Sequence, residues 1–70
     1  MKNNFFGQTL KELRIEKNLS QRELGKALNV CNQSVSFWEI GSREPSLDMI
    51  VKIAKFFNVT VDFLLGLDDF

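Results

Sequence analysis

Three times in this 70-residue chain an asparagine is followed by an apolar residue and then by a short side chain of capping type: Asn18-Leu19-Ser20, Asn29-Val30-Cys31 and Asn58-Val59-Thr60. Asparagine tolerates the left-handed backbone that ends a helix. The apolar residue can pack back on the finished helix and also staple the new one, which the short side chain opens. Staple partners stand four residues beyond each cap, at Leu24, Val35 and Leu64. Ser20 and Glu23 have the spacing of a capping box as well. Junctions set this closely cut the chain into short helices.

Between and around them the apolar spacing is helical. A first helix is expected from about Phe5 to Lys17, with Phe6, Leu10 and Leu13 inward. A second covers Gln21 to Leu28, and a third Asn32 to Ile40, closed by Gly41. Residues 42–45 form a loop, since Pro45 cannot continue a helix. Ser46 caps a fourth helix to Phe57, with Leu47, Ile50, Ile53, Ala54 and Phe57 on its buried face and Asp48 favourably placed in its first turn. Val61 to Leu65 make a short fifth helix, stopped by Gly66. No stretch alternates as a strand would. The expectation is one all-α domain of five helices over residues 1–70. In the tail, Phe63, Leu67 and Phe70 cannot all turn inward if Val61, Leu64 and Leu65 do. They form either an interface, such as a dimer contact, or a flap folded onto Phe5 or Phe6.

Composition narrows the class. With 44% hydrophobic residues the chain is globular, and no apolar run approaches the roughly 18 residues of a membrane span. The N-terminal MKNNFFGQ lacks the apolar core of a signal peptide. A single cysteine allows no internal disulfide, which fits a cytoplasmic setting. An enzyme has little to work with: there is no His, no Gly-rich phosphate loop and no cluster with metal-ligand spacing. No catalytic group, metal, cofactor or small-molecule substrate is expected. The formal net charge is zero, but residues 1–43 hold seven basic against four acidic residues (+3) and residues 44–70 two against five (−3). Such asymmetry hints at an anionic partner.

The third helix sharpens the hint. Val35 and Trp38 point inward towards Leu24 and Leu28. Asn32, Gln33, Ser36, Phe37 and Ile40 point outward, with amides, a hydroxyl, one ring and no charge. A merely solvated face would carry Lys and Glu, whereas amides and hydroxyls suit the edges of DNA bases.

At Gln21 to Glu39 the chain resembles the phage-repressor (lambda-repressor-like, Cro-like) helix-turn-helix family. The resemblance rests on Leu19-Ser20-Gln21, Leu24-Gly25, Asn29, Val30, Val35, Trp38-Glu39, Gly41 and Pro45 in one register, and extends over about residues 6 to 66. It implies a five-helix DNA-binding domain, acting as a transcriptional regulator and repressor, dimeric on a two-fold operator of double-stranded DNA. Helix 3 would enter the major groove. The base-reading positions fall on Asn32, Gln33, Ser36 and Phe37. Gln33 is suited to adenine N6 and N7 and Phe37 to a thymine methyl, the competing role of Phe37 being part of a protein–protein surface. Gln21, Ser34 and Arg43 are the implied phosphate contacts, which set register without reading sequence. Arg14 and Glu39 stand where the family often carries a partly buried ion pair. Gly25 is expected where helices 2 and 3 approach most closely.

There are departures from the pattern. Cys31 replaces a Ser or Thr cap, weakening the start of helix 3, and is either a redox-sensitive thiol or simply a small residue. Ile40 takes a position often polar. The alternative to a DNA-binding protein is an adaptor or antitoxin-like module that binds protein through Phe37, Ile40, Phe63, Leu67 and Phe70.

Overall fold

A computed structural model describes residues 4–67. Among them are five helices and no strand: α1 (Phe5–Glu16), α2 (Gln21–Leu28), α3 (Asn32–Ile40), α4 (Leu47–Phe57) and α5 (Val61–Leu65). One device ends all of them. Asn18, Asn29 and Asn58 take φ of 59°, 63° and 58°, and Gly41 and Gly66 take 81° and 77°. The following residue then donates its N–H to the carbonyl five residues back: Leu19 to Arg14 (3.1 Å), Val30 to Gly25 (2.8 Å), Ser42 to Phe37 (3.0 Å), Val59 to Ala54 (2.9 Å) and Leu67 to Asp62 (2.9 Å). A left-handed residue with this 6→1 bond is the Schellman ending, and it satisfies carbonyls the helix leaves open.

Side chains close the starts of α2, α4 and α5. Ser20 Oγ accepts from the Glu23 N–H at 3.0 Å while Glu23 Oε1 accepts from the Ser20 N–H at 2.8 Å, a complete capping box. Ser46 Oγ accepts from Met49 and Thr60 Oγ1 from Phe63. Asn4, heading α1, and Cys31, heading α3, offer no side-chain cap to their helices.

Each helix then gives one stripe to a single core: Phe6 and Leu10 from α1, Leu24 and Leu28 from α2, Val35 and Trp38 from α3, Ile50, Ile53, Ala54 and Phe57 from α4, and Leu64 from α5. The stapling residues Leu19, Val30 and Val59 pack half-buried against it, as does Leu13. Leu47 departs from expectation: it is 70% exposed. It occupies the first position of α4, where a side chain leans back towards the N-terminus and so past the end of the core. Phe63 and Leu67 are exposed at 42% and 63%, while Phe70 lies outside the described residues. The chain at Gly66 does come back onto α1: a Cβ there would stand 3.0 Å from the Phe5 ring. Among the described residues no helix is long and apolar enough to cross a membrane.

Candidate nucleic-acid interface

The turn that delivers α3 depends on a glycine. A Cβ on Gly25 would lie 2.8 Å from the Val30 carbonyl and 3.3 Å from the Asn32 N–H nitrogen. The tight approach is therefore to the backbone of the turn rather than to helix 3 as a whole. Lys52 of α4 donates to the Leu28 carbonyl at 2.7 Å, binding the end of α2 from the other side. That contact gives no local signal in the sequence.

Behind α3, Val35, Trp38 and Glu39 are buried. At about 100° per residue these three share one side, and Gln33 and Ile40 fall on the opposite one. Asn32 and Gln33 are exposed and Ile40 is 65% exposed, whereas Ser34, Ser36 and Phe37 are half-buried. Phe37 is thus less outward than the spacing suggests, for a reason the loop supplies. The N–H groups of Ser42 and Arg43 both donate to the Phe37 carbonyl, at 3.0 and 3.4 Å, folding the loop back on the helix. This sets the Arg43 guanidinium 5.0 Å from the centre of the Phe37 ring, a cation–π arrangement that keeps a planar, donor-rich group at the edge of α3.

Gln33, Ser34, Phe37 and Arg43 line one groove of about 370 Å³, together with Ser46 and Met49 at the start of α4. Asn32 and Ser36 lie along the other flank of α3, nearer Glu39 on the helical wheel. At the head of the helix, Cys31 Sγ is 3.6 Å from Ser34 Oγ. The Ser34 hydroxyl, assisted by backbone N–H groups of Ser34 and Gln33, holds this exposed thiol below its ordinary pKa.

The far end of α3 is closed by a polar cluster. Arg14 donates from Nε to Glu39 Oε2 at 2.6 Å and from Nη2 to Oε1 at 3.1 Å, a two-pronged pair. The two side chains are 12% and 3% exposed. Hydrogen bonding to Glu39 raises the Arg14 pKa, so the guanidinium stays charged. Its third donor, Nη1, reaches the Leu19 carbonyl at 2.8 Å. Gln21, the first residue of α2, donates from Nε2 to Glu39 Oε1 at 3.0 Å. Gln21 is therefore half-buried and already engaged, which the sequence did not indicate. Asn4 donates from its side chain to the Glu39 carbonyl at 2.7 Å. Gly7 lets α1 cross here, since a Cβ would press on the carbonyls of Trp38 and Glu39.

Comparisons with known proteins agree with this geometry. The helix-turn-helix family profile matches residues 10–64. The HTH-type transcriptional activator BcrR of Enterococcus faecalis is 42% identical over 61 residues, covering 87% of this chain and 30% of that protein. The HTH-type transcriptional regulator ImmR of Bacillus subtilis is 36% identical over 63 residues, covering 90% of this chain and 50% of that protein. The chain thus spans half or less of the length of these two curated relatives. Among solved structures, the P22 c2 repressor in complex with a synthetic operator superposes with a TM-score of 0.85 at 28% identity, over 91% of this chain and 97% of that one. The same α1–α5 order, the glycine-dependent α2–α3 turn and a family match spanning most of the sequence lead to one assignment: this chain belongs to the helix-turn-helix family.

Proposed function

We propose that the chain is a sequence-specific DNA-binding transcriptional regulator that lays α3 in the major groove of double-stranded DNA. The observation that carries the reading is the side of α3 opposite Val35, Trp38 and Glu39. It leaves Gln33 exposed, with Asn32 exposed on the adjoining flank, both uncharged on a helix gripped firmly from behind. The likeness to a repressor solved on its operator supports it. In this reading Asn32, Gln33, Ser36 and Phe37 meet base edges. Gln33 donates to and accepts from adenine, discriminating by about 1–3 kcal/mol. Gln21, Ser34 and Arg43 bind phosphates. The protein works in the cytoplasm as a homodimer on a two-fold operator with half-sites roughly 34 Å apart. It binds and performs no catalysis. BcrR is named an activator and P22 c2 a repressor, so the domain serves either sign. The repressor reading follows the match that spans nearly all of both chains.

Selection from a random duplex library at two salt concentrations tests the proposal. A two-fold consensus is expected, with affinity falling as salt rises. Gln33→Ala relaxes preference at one position per half-site, while Gln21→Ala weakens all sequences alike. A Gln33→Ala variant with unchanged affinity and preference refutes the site assignment. A chain that recovers no duplex at low salt, and instead binds protein with little salt dependence through Ile40, Phe63 and Leu67, refutes the function.

A further inference from the structure

We propose that Glu39 is a positioning residue that fixes the Gln21 amide in its DNA-binding orientation. The base-reading helix and the backbone anchor are thereby one rigid unit before any duplex arrives. The inference rests on the reading of Gln21 as a phosphate contact and adds what holds that contact in place.

Glu39 lies on α3 and Gln21 opens α2, yet Gln21 Nε2 sits 3.0 Å from Glu39 Oε1. The carboxylate is only 3% exposed, and Arg14 holds both of its oxygens. Arg14 also bonds the Leu19 carbonyl, one residue before the Ser20 cap of α2. One guanidinium therefore fixes the carboxylate and the entry to α2 together. The Asn4 side chain holds the Glu39 carbonyl, so neither end of that residue is loose.

A carboxylate accepts hydrogen bonds and donates none. It dictates which way the Gln21 amide faces, nitrogen towards Glu39. An amide free to choose would leave this ambiguous. Two donors remain on Gln21. One is the second Nε2 hydrogen. The other is its backbone N–H at the first position of α2, which has no acceptor among the described residues. A long polar side chain at a helix start ordinarily loses rotamer freedom when it binds. Here that freedom is already gone in the folded chain. Because this bond joins α2 to α3, a rotation of α3 that keeps it intact carries the Gln21 amide along. Base reading and phosphate anchoring are thus coupled mechanically.

The test uses the selected duplex with single methylphosphonate substitutions, each removing one phosphate charge, titrated against wild type, Gln21→Ala, Glu39→Gln and the double variant. Titrations run at a temperature where circular dichroism shows every variant folded. Wild type is expected to lose about tenfold at one phosphate per half-site, as for a hydrogen bond to a charged group, and Gln21→Ala to be insensitive there. Glu39→Gln offers an amide that can face either way. It is expected to cut the sensitivity at that same phosphate below about threefold, and to make a further Gln21→Ala change nearly silent. A merely structural Glu39 would lower affinity at every position and leave the tenfold effect intact, which overturns the proposal. Wild type and Gln21→Ala responding identically at every phosphate instead removes the underlying reading and the proposal with it. Should Glu39→Gln not fold, the wild-type side-chain amide resonances of Gln21 decide. One slowly exchanging Nε2 hydrogen, unchanged by DNA, supports a fixed amide, and rotamer averaging in the free protein overturns it.

Discussion

Gly7→Ala is the sharpest probe of how α3 is held. Gly7 sits on α1 where that helix crosses the end of α3. An added Cβ would meet the Trp38 carbonyl, the Asn4 side-chain oxygen and the Glu39 carbonyl, the last at 2.6 Å. Ordinary contact for a Cβ begins at 3.4 Å, so α1 and α3 would have to part by more than about 0.8 Å, the difference between 3.4 and 2.6, because the Trp38 carbonyl stands closer still. Asn4 can swing aside, but only by surrendering its 2.7 Å bond to the Glu39 carbonyl. The two backbone carbonyls belong to the last turn of a packed helix and cannot move alone. Overpacking of this kind costs about 1–3 kcal/mol, and the Asn4 bond adds about 1 kcal/mol. Helix propensity returns about 1 kcal/mol, because alanine suits a helix interior better than glycine.

The net expectation is a loss of about 1–3 kcal/mol. For a domain of this size that lowers Tm by about 5–20 °C. Thermal unfolding followed by far-UV circular dichroism measures it, with Gln8→Ala on the exposed side of α1 as the control for propensity alone. Trp38 is the chain's one tryptophan, 8% exposed, so its emission reports on the same crossing and should shift to the red in the folded variant. If Gly7→Ala melts at or above the wild-type temperature with unchanged emission, α1 and α3 are not in this contact and the reasoning fails.

Four further outcomes follow from the same geometry. Arg14→Met leaves the Glu39 carboxylate buried with only Gln21 beside it and should cost about 3 kcal/mol in urea unfolding. Arg14→Met with Glu39→Leu should recover part of that loss, because the unpaired charge has gone. Cys31→Ser supplies the missing side-chain cap of α3 and should stabilise by about 0.5–1 kcal/mol. In the wild type, alkylation of the exposed Cys31 should reach half-maximal rate at a lower pH than a free thiol, since its pKa is lowered. Ser34→Ala should move that midpoint upwards, and no movement would deny the hydroxyl its role. Leu64→Ala, at a fully buried position, should cost about 2–5 kcal/mol. Leu47→Ala should cost under about 0.5 kcal/mol as an exposed change, and parity between the two would contradict the placement of α4.

The sequence was most legible where the chemistry is local. Asn18, Asn29 and Asn58 end helices because a short amide side chain tolerates a positive φ, and that holds whatever packs nearby. Ser20, Ser46 and Thr60 cap because their oxygens reach an N–H within the same turn. Together with the spacing, these stops and caps located α2, α3 and α5 at the observed bounds. The Schellman geometry was implied as well, since the apolar residue after each asparagine has to fold back for the next helix to start. Leu47 failed for an equally physical reason. Periodicity assigns a face, but says nothing of where along the helix the core ends.

What spacing could not show is closure between distant segments. Gly7 reads as a weak residue in a helix, and its reason lies in two carbonyls at the far end of α3. Gln21 reads, from the resemblance, as a phosphate contact at a helix start, and nothing near it announces Glu39. Phe37 reads as outward until the loop behind Gly41 brings Arg43 over its ring. In each case a residue that looks replaceable in its own turn touches the end of α3. The apolar grip of Val35 and Trp38 sets how deep α3 sits, but apolar contact is non-directional and leaves rotation about the helix axis free. The directional bonds from Arg14, Gln21 and Asn4 converge on Glu39 at the helix end and remove that freedom. A face built from Asn32 and Gln33 can discriminate between bases only if that rotation is fixed.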